Sequence, residues 1–345
     1  MASSPRVTLA FFGATGGTTA SALALALKDG YFATALARTP AKLRNLMETQ
    51  YNIPSATLDA QLHIIQGGAK DIEVVKETLA PQGKQPASII ISGLGAYPEM
   101  SIKPPFIVNT DPTLCGDAMT ILMNALRQLR REGRISEAQK PLVYVGSTTG
   151  LSAKRDVPYA LAPLYHVLLA SAHKDKTIME KVLAEASTET GPEAPISNFV
   201  IGRPTLLMDG PAKGLSQVKT GWEKHPAAPN ATSEQETVAA IGYSIRRSDV
   251  GAWIFEEFIR GGHPGNPWAG KCTKFSQRDP SHYPITQVLG AYGCQHEDTQ
   301  ITITMDFSTI LNILIAIFWR WRYIFPFIMS TYGLFVLAKF YLRAR

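Results

Sequence analysis

Short apolar runs alternate with amphipathic stretches along the first two hundred residues of the chain. An uninterrupted apolar run predicts a strand that is covered on both faces. Such runs occur at 7–12, 32–37, 63–66, 87–92, 142–145 and 199–202. Apolar residues at helical spacing lie between them, at 18–28, 71–79, 115–130 and 175–186. The alternation predicts an α/β fold of the Rossmann type, a doubly wound parallel sheet with helices on both faces.

The pattern becomes less regular after this series. We expect one Rossmann domain over 1–300, in which 204–300 forms a small portion on the substrate side. The segment 211–236 is rich in Gly, Pro, Lys and Thr, which predicts a loop that covers the functional site. Apolar spacing predicts helices at 237–246 and 250–259.

The last part of the chain, 307–345, changes character. Two uncharged runs, 307–319 and 323–338, flank Arg320 and Arg322, and three basic residues follow the second run. A bilayer-spanning helix needs about 20 apolar residues. Our first interpretation is one transmembrane anchor at about 321–341. An interfacial or re-entrant hairpin with the two arginines at its tip, and a buried core helix, are the alternatives.

Charge and cysteine content narrow the class of protein. The 345 residues have a formal charge of +6, but the first 300 hold 29 basic and 27 acidic residues, so the chain is not expected to bind nucleic acid. Three cysteines without a C-x-x-C pair indicate a reducing compartment. We expect the tail to make this a membrane protein. Since no secretory signal is evident, its folded domain is expected to face the cytosol. We expect a monomer or a weak oligomer. Spacing predicts no metal site, because the nearest candidates are irregularly placed: Cys272, His282, Cys294 and His296.

A strand, a glycine-rich turn and a helix follow one another at the front of the chain. Glycine permits a sharp turn and lets the main chain approach a pyrophosphate, whose charge is stabilised by the unpaired amides of the helix. The complete strand–turn–helix context predicts a nicotinamide dinucleotide site. Thr19 stands where a third glycine is usual. The predicted phosphate-binding residues are Gly13, Thr15, Gly16, Gly17 and Thr18.

The end of the second strand indicates which dinucleotide is bound. An acidic residue there usually binds the ribose 2′-hydroxyl of NAD, but this chain has Arg38, with Lys42 one turn further on. A guanidinium can clamp a 2′-phosphate. We therefore predict NADP as the cofactor, with NADPH preferred over NADH; a solvated surface arginine is the alternative interpretation.

Small and hydroxyl-bearing residues follow two later strands. Ser92 and Gly93 end the fourth predicted strand and are predicted to let the main chain pass close to the cofactor, an ordinary turn being the alternative. Ser147 follows the fifth strand, at the edge where open α/β sheets bind ligands. Its hydroxyl is predicted either to orient a substrate carbonyl or to cap the next helix.

Together these residues resemble the atypical short-chain dehydrogenase/reductases, in the NAD(P)H-binding group that includes NmrA-like and biliverdin reductase B type proteins. The nearest likeness is to fungal oxidoreductases of the averufin oxidase family, which act in aromatic polyketide pathways. The likeness covers about residues 5–260 and rests on short motifs at 13–16, 37–40, 111–115, 203–205 and 246–250. It implies oxidoreductase activity with a nicotinamide cofactor that Pro204 contacts.

Short-chain reductases commonly use a Tyr-x-x-x-Lys pair, in which the tyrosine donates a proton and the lysine holds the nicotinamide ribose. The resemblance places Lys176 at the lysine position, with Glu180 four residues on, but the tyrosine position holds Ala172. The proton then comes from solvent or from a nearby side chain: Tyr165, His166 or His173. The predicted catalytic residues are Lys176, which is also a cofactor contact, Ser147 and Tyr165.

The expected function is an NADPH-dependent oxidoreductase that acts on a small hydrophobic substrate, an aromatic or polyketide-like carbonyl compound, in fungal secondary metabolism. Two alternatives remain open. A non-catalytic regulator that senses NAD(P), of the NmrA-like kind, is favoured by the missing tyrosine. An isomerase or dehydratase would use the cofactor transiently.

Overall fold

The computed structural model describes residues 7–100, 107–152, 155–159, 162, 165–166, 169–225, 240–261 and 265–277. The strands there are β1 (Thr8–Phe12), β2 (Phe32–Ala37), β3 (Leu62–Gln66), β4 (Ile89–Ser92), β5 (Pro98–Met100), β6 (Ile107–Asn109), β7 (Leu142–Gly146), β8 (Asn198–Pro204), β9 (Leu206–Met208), β10 (Val218–Lys224), β11 (Ser244–Arg246) and β12 (Lys271–Gln277). The helices are α1 (Gly17–Lys28), α2 (Pro40–Thr49), α3 (Ser55–Gln61), α4 (Ile72–Leu79), α5 (Leu114–Arg131), α6 (Ala170–Thr188) and α7 (Arg247–Trp253). A π-helical segment, Ile254–Ile259, continues α7.

The apolar runs form the middle of an eight-stranded sheet with the order β10-β12-β8-β7-β4-β1-β2-β3. Neighbouring strands are parallel except β10 and β12, which pair antiparallel at one edge. Ile89, Ile90 and Ile91 of β4 are fully buried. A strand without a polar face is stable only when both faces of the sheet are covered.

Helices cover both faces of this sheet. Phe11 and Phe12 of β1 point to opposite sides, because side chains alternate along a strand. Phe11 belongs to the core that includes residues of α1, α7 and the π-helical segment, and Phe12 to the core that includes residues of α4, α5 and α6. The predicted α/β fold of the Rossmann type is therefore confirmed.

The sheet changes its direction of winding between β1 and β4. Because β1 pairs with β2 on one side and with β4 on the other, the turns after β1 and β4 meet at the carboxyl edge. Gly13 has a φ of +72°, and a β-carbon there would lie 2.9 Å from the carbonyl carbon and oxygen of Gly93. Ligands of open α/β sheets bind at such a switch point.

The six predicted strands and the four helices between them are present, with ends that shift by up to five residues. The helix predicted at 250–259 is also present, as part of α7 and the π-helical segment. Helix α2 was not anticipated, because only Leu43 and Met47 of its ten residues are buried and they mark too narrow a stripe.

Two predictions for the later part of the chain are wrong. The predicted helix at 237–246 ends in a strand, because the main chain of β11 pairs in parallel with β9. The predicted loop at 211–236 contains β10, whose glycine and polar residues are accommodated in an antiparallel edge strand beside β12. Residues 226–236 of that predicted loop and residues 237–239 of the predicted helix lie outside the described residues.

Within the described part of the chain, every helix is too short or too polar to serve as a membrane span. The predicted anchor at 307–345 lies outside that part, as does the predicted domain boundary at residue 300. Both stay predictions.

The close approach of Gly13 to Gly93 gives a prediction for stability. Gly13→Ala is expected to lower the free energy of unfolding by about 2 to 5 kcal/mol, since it combines a left-handed backbone conformation with overlap against main-chain atoms. Gly83→Ala is the matched control: Gly83 has a φ of +73° but nothing within 4 Å of the added carbon. Its free energy of unfolding should fall only by the cost of the left-handed backbone conformation, about 1 to 2 kcal/mol. Equal losses in urea unfolding would show that the two turns do not touch.

Candidate cofactor and substrate site

The turn after β1 presents unpaired amides at the start of α1. The amide of Gly16 donates to the carbonyl of Gly13 at 2.9 Å, which closes the turn. Gly16 is the N-cap and offers no side-chain acceptor, and the described residues contain no acceptor for the amides of Gly17, Thr18 and Thr19. The hydroxyl oxygen of Thr18 is buried and also lacks a partner. This arrangement favours an anion, because amides and the helix dipole point at the same place.

Thr19 takes over the role of the missing third glycine. Its hydroxyl donates to the carbonyls of Gly13 at 2.5 Å and Gly16 at 3.0 Å. A β-carbon on Gly93 would overlap the γ-methyl of Thr19. The larger Thr19 is therefore tolerated on α1, because the facing turn has Gly93, which has no side chain, at the point of contact.

The motif at 246–250 lies against the same turn. A β-carbon on Gly17 would lie 2.8 Å from Cδ of Arg247, so the arginine stem fills the space that the glycine leaves. The guanidinium of Arg247 donates to the carboxylate of Asp209 at 2.7 Å. Asp249 is fully buried and accepts from the amides of Lys213 and Gly214. The motif thus connects the glycine turn to the segment that follows β9.

Arg38, predicted to bind the cofactor's 2′-phosphate, is exposed after β2, and Lys42 is exposed near the start of α2. No carboxylate pairs with either of them among the residues that the structure describes. The nearby Arg44 differs, because it pairs with Glu48 and Asp59.

Lys176 connects the ends of β4 and β7. Its ammonium donates to the carbonyl of Leu94 and to the carbonyl of Gly146, each at 2.7 Å. Ser92 is buried beside this point, and the amide of Gly93 donates to Phe12 at 2.9 Å. Two of the three ammonium hydrogens are thus bound to main-chain carbonyls, and the third has only a long contact with Sδ of Met179 at 4.0 Å, which a ligand can replace.

Ser147 lies at the carboxyl end of β7 and donates to Oε1 of Glu180 at 2.6 Å. Within the part of the chain that the structure describes, its hydroxyl caps no helix, and the bond to Glu180 uses its one donor hydrogen. Pro204, predicted to contact the cofactor, ends β8, and its carbonyl accepts from the amide and the hydroxyl of Thr149 at 3.3 Å each.

A cluster of four buried charges lies behind Ser147. Glu180 accepts from Nε and Nη2 of Arg203 at 3.1 and 2.5 Å, Arg203 reaches Glu223 at 2.6 Å, and Lys274 reaches Glu223 at 3.0 Å. None of the four is more than 8 % exposed. Burial by itself raises the pKa of Glu223, but the ammonium of Lys274 and the guanidinium of Arg203 bring the pKa below its ordinary value.

The three candidates for the missing proton donor differ in their surroundings. Tyr165 is buried in a small apolar cluster, and His166 is exposed. His173 is 8 % exposed, and its Nε2 has no hydrogen-bond partner. Burial lowers the pKa of His173, and the neighbouring His166 adds to this effect. The Tyr165 and His173 rings lie 6.2 Å apart between centroids.

The structure therefore places the predicted residues in two groups at one sheet edge. The glycine turn and Arg38 follow β1 and β2, whereas Lys176 and Ser147 lie at β4 and β7. From the sequence, Arg203 was noted only as part of the motif at 203–205, and Glu223 and Lys274 were not singled out, because both lie in polar segments that were not predicted as strands. A cleft lined by Thr8, Gln61 and other residues opens at the opposite edge of the sheet and shares no residue with either group.

Two curated fungal proteins are similar to the chain over most of its length. It is 39 % identical over 278 residues to "Reductase pytE" of Aspergillus terreus, covering 78 % of this chain and 98 % of that protein. It is 33 % identical over 279 residues to "Oxidase pynE" of Aspergillus niger, covering 73 % of this chain and 92 % of that protein.

Among solved structures, ChuY, an anaerobillin reductase from Escherichia coli O157:H7, is similar with a TM-score of 0.48 and 20 % identity, covering 81 % of this chain and all of that one. No protein-family model matches the chain.

Proposed function

Because the chain belongs to the atypical short-chain dehydrogenase/reductases, in the oxidoreductase family of reductase pytE and oxidase pynE, we propose that it uses NADPH to reduce a hydrophobic aromatic or polyketide-like carbonyl compound. The observation that carries this proposal is the glycine turn after β1, where amides without acceptors face the switch point beside Arg38.

The residues of the turn fit a dinucleotide phosphate. Thr18 has a buried hydroxyl oxygen without a partner among the described residues, and the close contact of Gly13 with Gly93 admits no side chain between the two turns. The aliphatic stem of Arg247 packs beside Gly17, and its guanidinium is paired with Asp209. We assign the phosphates to Gly13, Thr15, Gly16, Gly17 and Thr18, the 2′-phosphate to Arg38, and the nicotinamide half to Ser92, Gly93, Lys176 and Pro204.

A bound dihydronicotinamide supplies the hydride, and the protein provides the position and the proton. Lys176 holds the ends of β4 and β7 at a fixed separation and keeps one hydrogen for the cofactor ribose. The proton comes from water at this edge or from His173, whose Nε2 has no partner among the described residues and whose lowered pKa makes its protonated form a stronger but less populated acid. We give Tyr165 a packing role, because it is buried among apolar side chains.

Two exposed tyrosines support an aromatic substrate. Tyr97 follows β4 and Tyr159 follows β7, and they are 63 % and 78 % exposed. Both strands end at the edge that carries Lys176 and Ser147. An exposed aromatic ring offers a large apolar face on which an aromatic substrate can stack.

The choice between cofactors gives a binding prediction. Wild-type protein should bind NADP⁺ more tightly than NAD⁺, and Arg38→Gln should weaken NADP⁺ about 10- to 100-fold, the value of a charge-assisted hydrogen bond of about 1.5 to 3 kcal/mol. Binding of NAD⁺ should not change. Arg44→Gln is the control, because that arginine is already paired with Glu48 and Asp59. Isothermal titration that gave equal affinities for both nucleotides in the wild type would contradict the assignment.

The reaction itself is tested by consumption of NADPH, followed by its absorbance. Aromatic ketones and quinones should be reduced faster than short aliphatic aldehydes. Lys176→Ala should lower turnover at least tenfold, whereas Lys181→Ala, on the exposed side of the same helix, should not. Urea unfolding of both variants measures what the lost tie between β4 and β7 contributes. Binding of NADPH without any oxidation would instead favour the cofactor-sensing regulator.

We further propose that the segment 307–345 attaches the chain to a membrane, with the Rossmann domain on the cytosolic side. The full-length protein should float with phospholipid vesicles, and Leu334→Lys should reduce the bound fraction, because a lysine near the centre of a spanning helix costs about 3 kcal/mol. Thr299→Lys adds the same charge outside the apolar runs and serves as the control. Equal flotation of the two variants would argue against a spanning helix.

A further inference from the structure

The hydrogen bond between Ser147 and Glu180 determines which way the serine hydroxyl points. Oγ of Ser147 lies 2.6 Å from Oε1 of Glu180. The same carboxylate accepts two bonds from the guanidinium of Arg203, which stays protonated in proteins. An ionised carboxylate only accepts hydrogen bonds. The single hydrogen of the hydroxyl is therefore directed at Glu180, and the serine oxygen presents lone pairs to any ligand.

The buried charge cluster holds this orientation in place. Glu180 and Arg203 are 4 % and 3 % exposed, and Glu223 and Lys274 complete the cluster with two acids and two bases. Turning Glu180 towards another donor would leave a buried charge unpaired, which is strongly unfavourable. Redirecting the Ser147 hydrogen from Glu180 to a ligand is therefore energetically unfavourable.

This geometry differs from a serine that polarises a carbonyl, because such a serine must donate its hydrogen to the carbonyl oxygen. The main chain of Ser147 is fixed as well, since its amide donates to the carbonyl of Gly202 at 2.7 Å. The side chain is nevertheless partly exposed at the carboxyl edge, on the strand next to β4. A ligand at this edge meets an acceptor.

We propose that Ser147 is a specificity residue that accepts a hydrogen bond from a hydroxyl group of the substrate, a phenol or an enol, and that Glu180 is the positioning residue that makes it an acceptor. The proposal rests on the proposed function only for the location of the substrate. The carbonyl that is reduced must then lie at a distance from this hydroxyl, and its oxygen must be protonated by another group.

The test uses the full-length protein saturated with NADP⁺ and three probes titrated by calorimetry. 2-Naphthol carries a donor hydroxyl, 2-methoxynaphthalene has lost that hydrogen, and 2-acetonaphthone carries a carbonyl acceptor. The wild type should bind naphthol about fivefold or more tightly than the methyl ether, the value of one neutral hydrogen bond. Ser147→Ala should remove that preference and leave the affinities for the ether and the ketone unchanged.

Two further variants separate positioning from general damage. Thr148→Val removes the neighbouring hydroxyl, which donates to the carbonyl of Thr149 at 3.2 Å, and should keep the naphthol preference. Glu180→Gln offers an amide that can donate to Ser147 and so release its hydrogen. The preference for naphthol should then fall while the ketone binds more tightly. Should this variant unfold, Ser147→Ala still decides the question.

Several results would overturn the proposal. They are equal binding of naphthol and its ether by the wild type, no binding of either one, tighter binding of the ketone that Ser147→Ala abolishes, and a loss of NADP⁺ affinity in Ser147→Ala. The last result would assign the serine to the cofactor. Titration of NADP⁺ alone is done first, because a failure there rejects the proposed function and not this inference.

Discussion

The carboxyl edge of the sheet depends on the buried ion cluster of Glu180, Arg203, Glu223 and Lys274. The four residues come from α6, β8, β10 and β12, so the cluster joins one helix to three strands. Removing one partner of a buried pair costs about 3 to 5 kcal/mol, a large share of the 5 to 15 kcal/mol that stabilise a typical domain. Replacing a whole buried cluster by apolar residues is often neutral. The main effect of the ion cluster is therefore to fix the arrangement of side chains at this edge, including the orientation of the Ser147 hydroxyl.

The two ends of the site are built by different physical means. At β1 and β2 the protein uses main-chain amides and the absence of side chains, as in the contact of Gly13 with Gly93. At β4 and β7 it uses charged side chains that are bound within the protein, as in the two bonds of Lys176 to main-chain carbonyls. The first arrangement suits an anionic group that many proteins bind alike. The second produces hydrogen-bonding directions that are particular to this chain.

This difference explains how far the sequence alone leads. The glycine turn is local, since strand, turn and helix follow one another within about twenty residues, and its pattern is sufficient to predict it. The ion cluster is not local, since Arg203 is 71 residues from Lys274. The sequence around Lys274 contains no pattern that predicts a buried ion pair. Strand β10 was missed for a related reason. Its polar composition resembles a loop, and only the antiparallel partner β12 makes a strand of it.

Lys176 and Ala172 illustrate the same limit at the level of chemistry. Resemblance assigns a cofactor role to Lys176, which lies on α6, and the structure adds a contact that no motif reveals, the tie between β4 and β7. With alanine in place of the tyrosine, that lysine has no phenol to activate. Ser147 has no hydrogen to offer, because Glu180 takes it. Two donors that short-chain reductases commonly bring to a carbonyl are thus absent or engaged. In the proposed reaction the proton therefore comes from another group, such as His173 or His166, or from water, and the proposed substrate hydroxyl donates to Ser147.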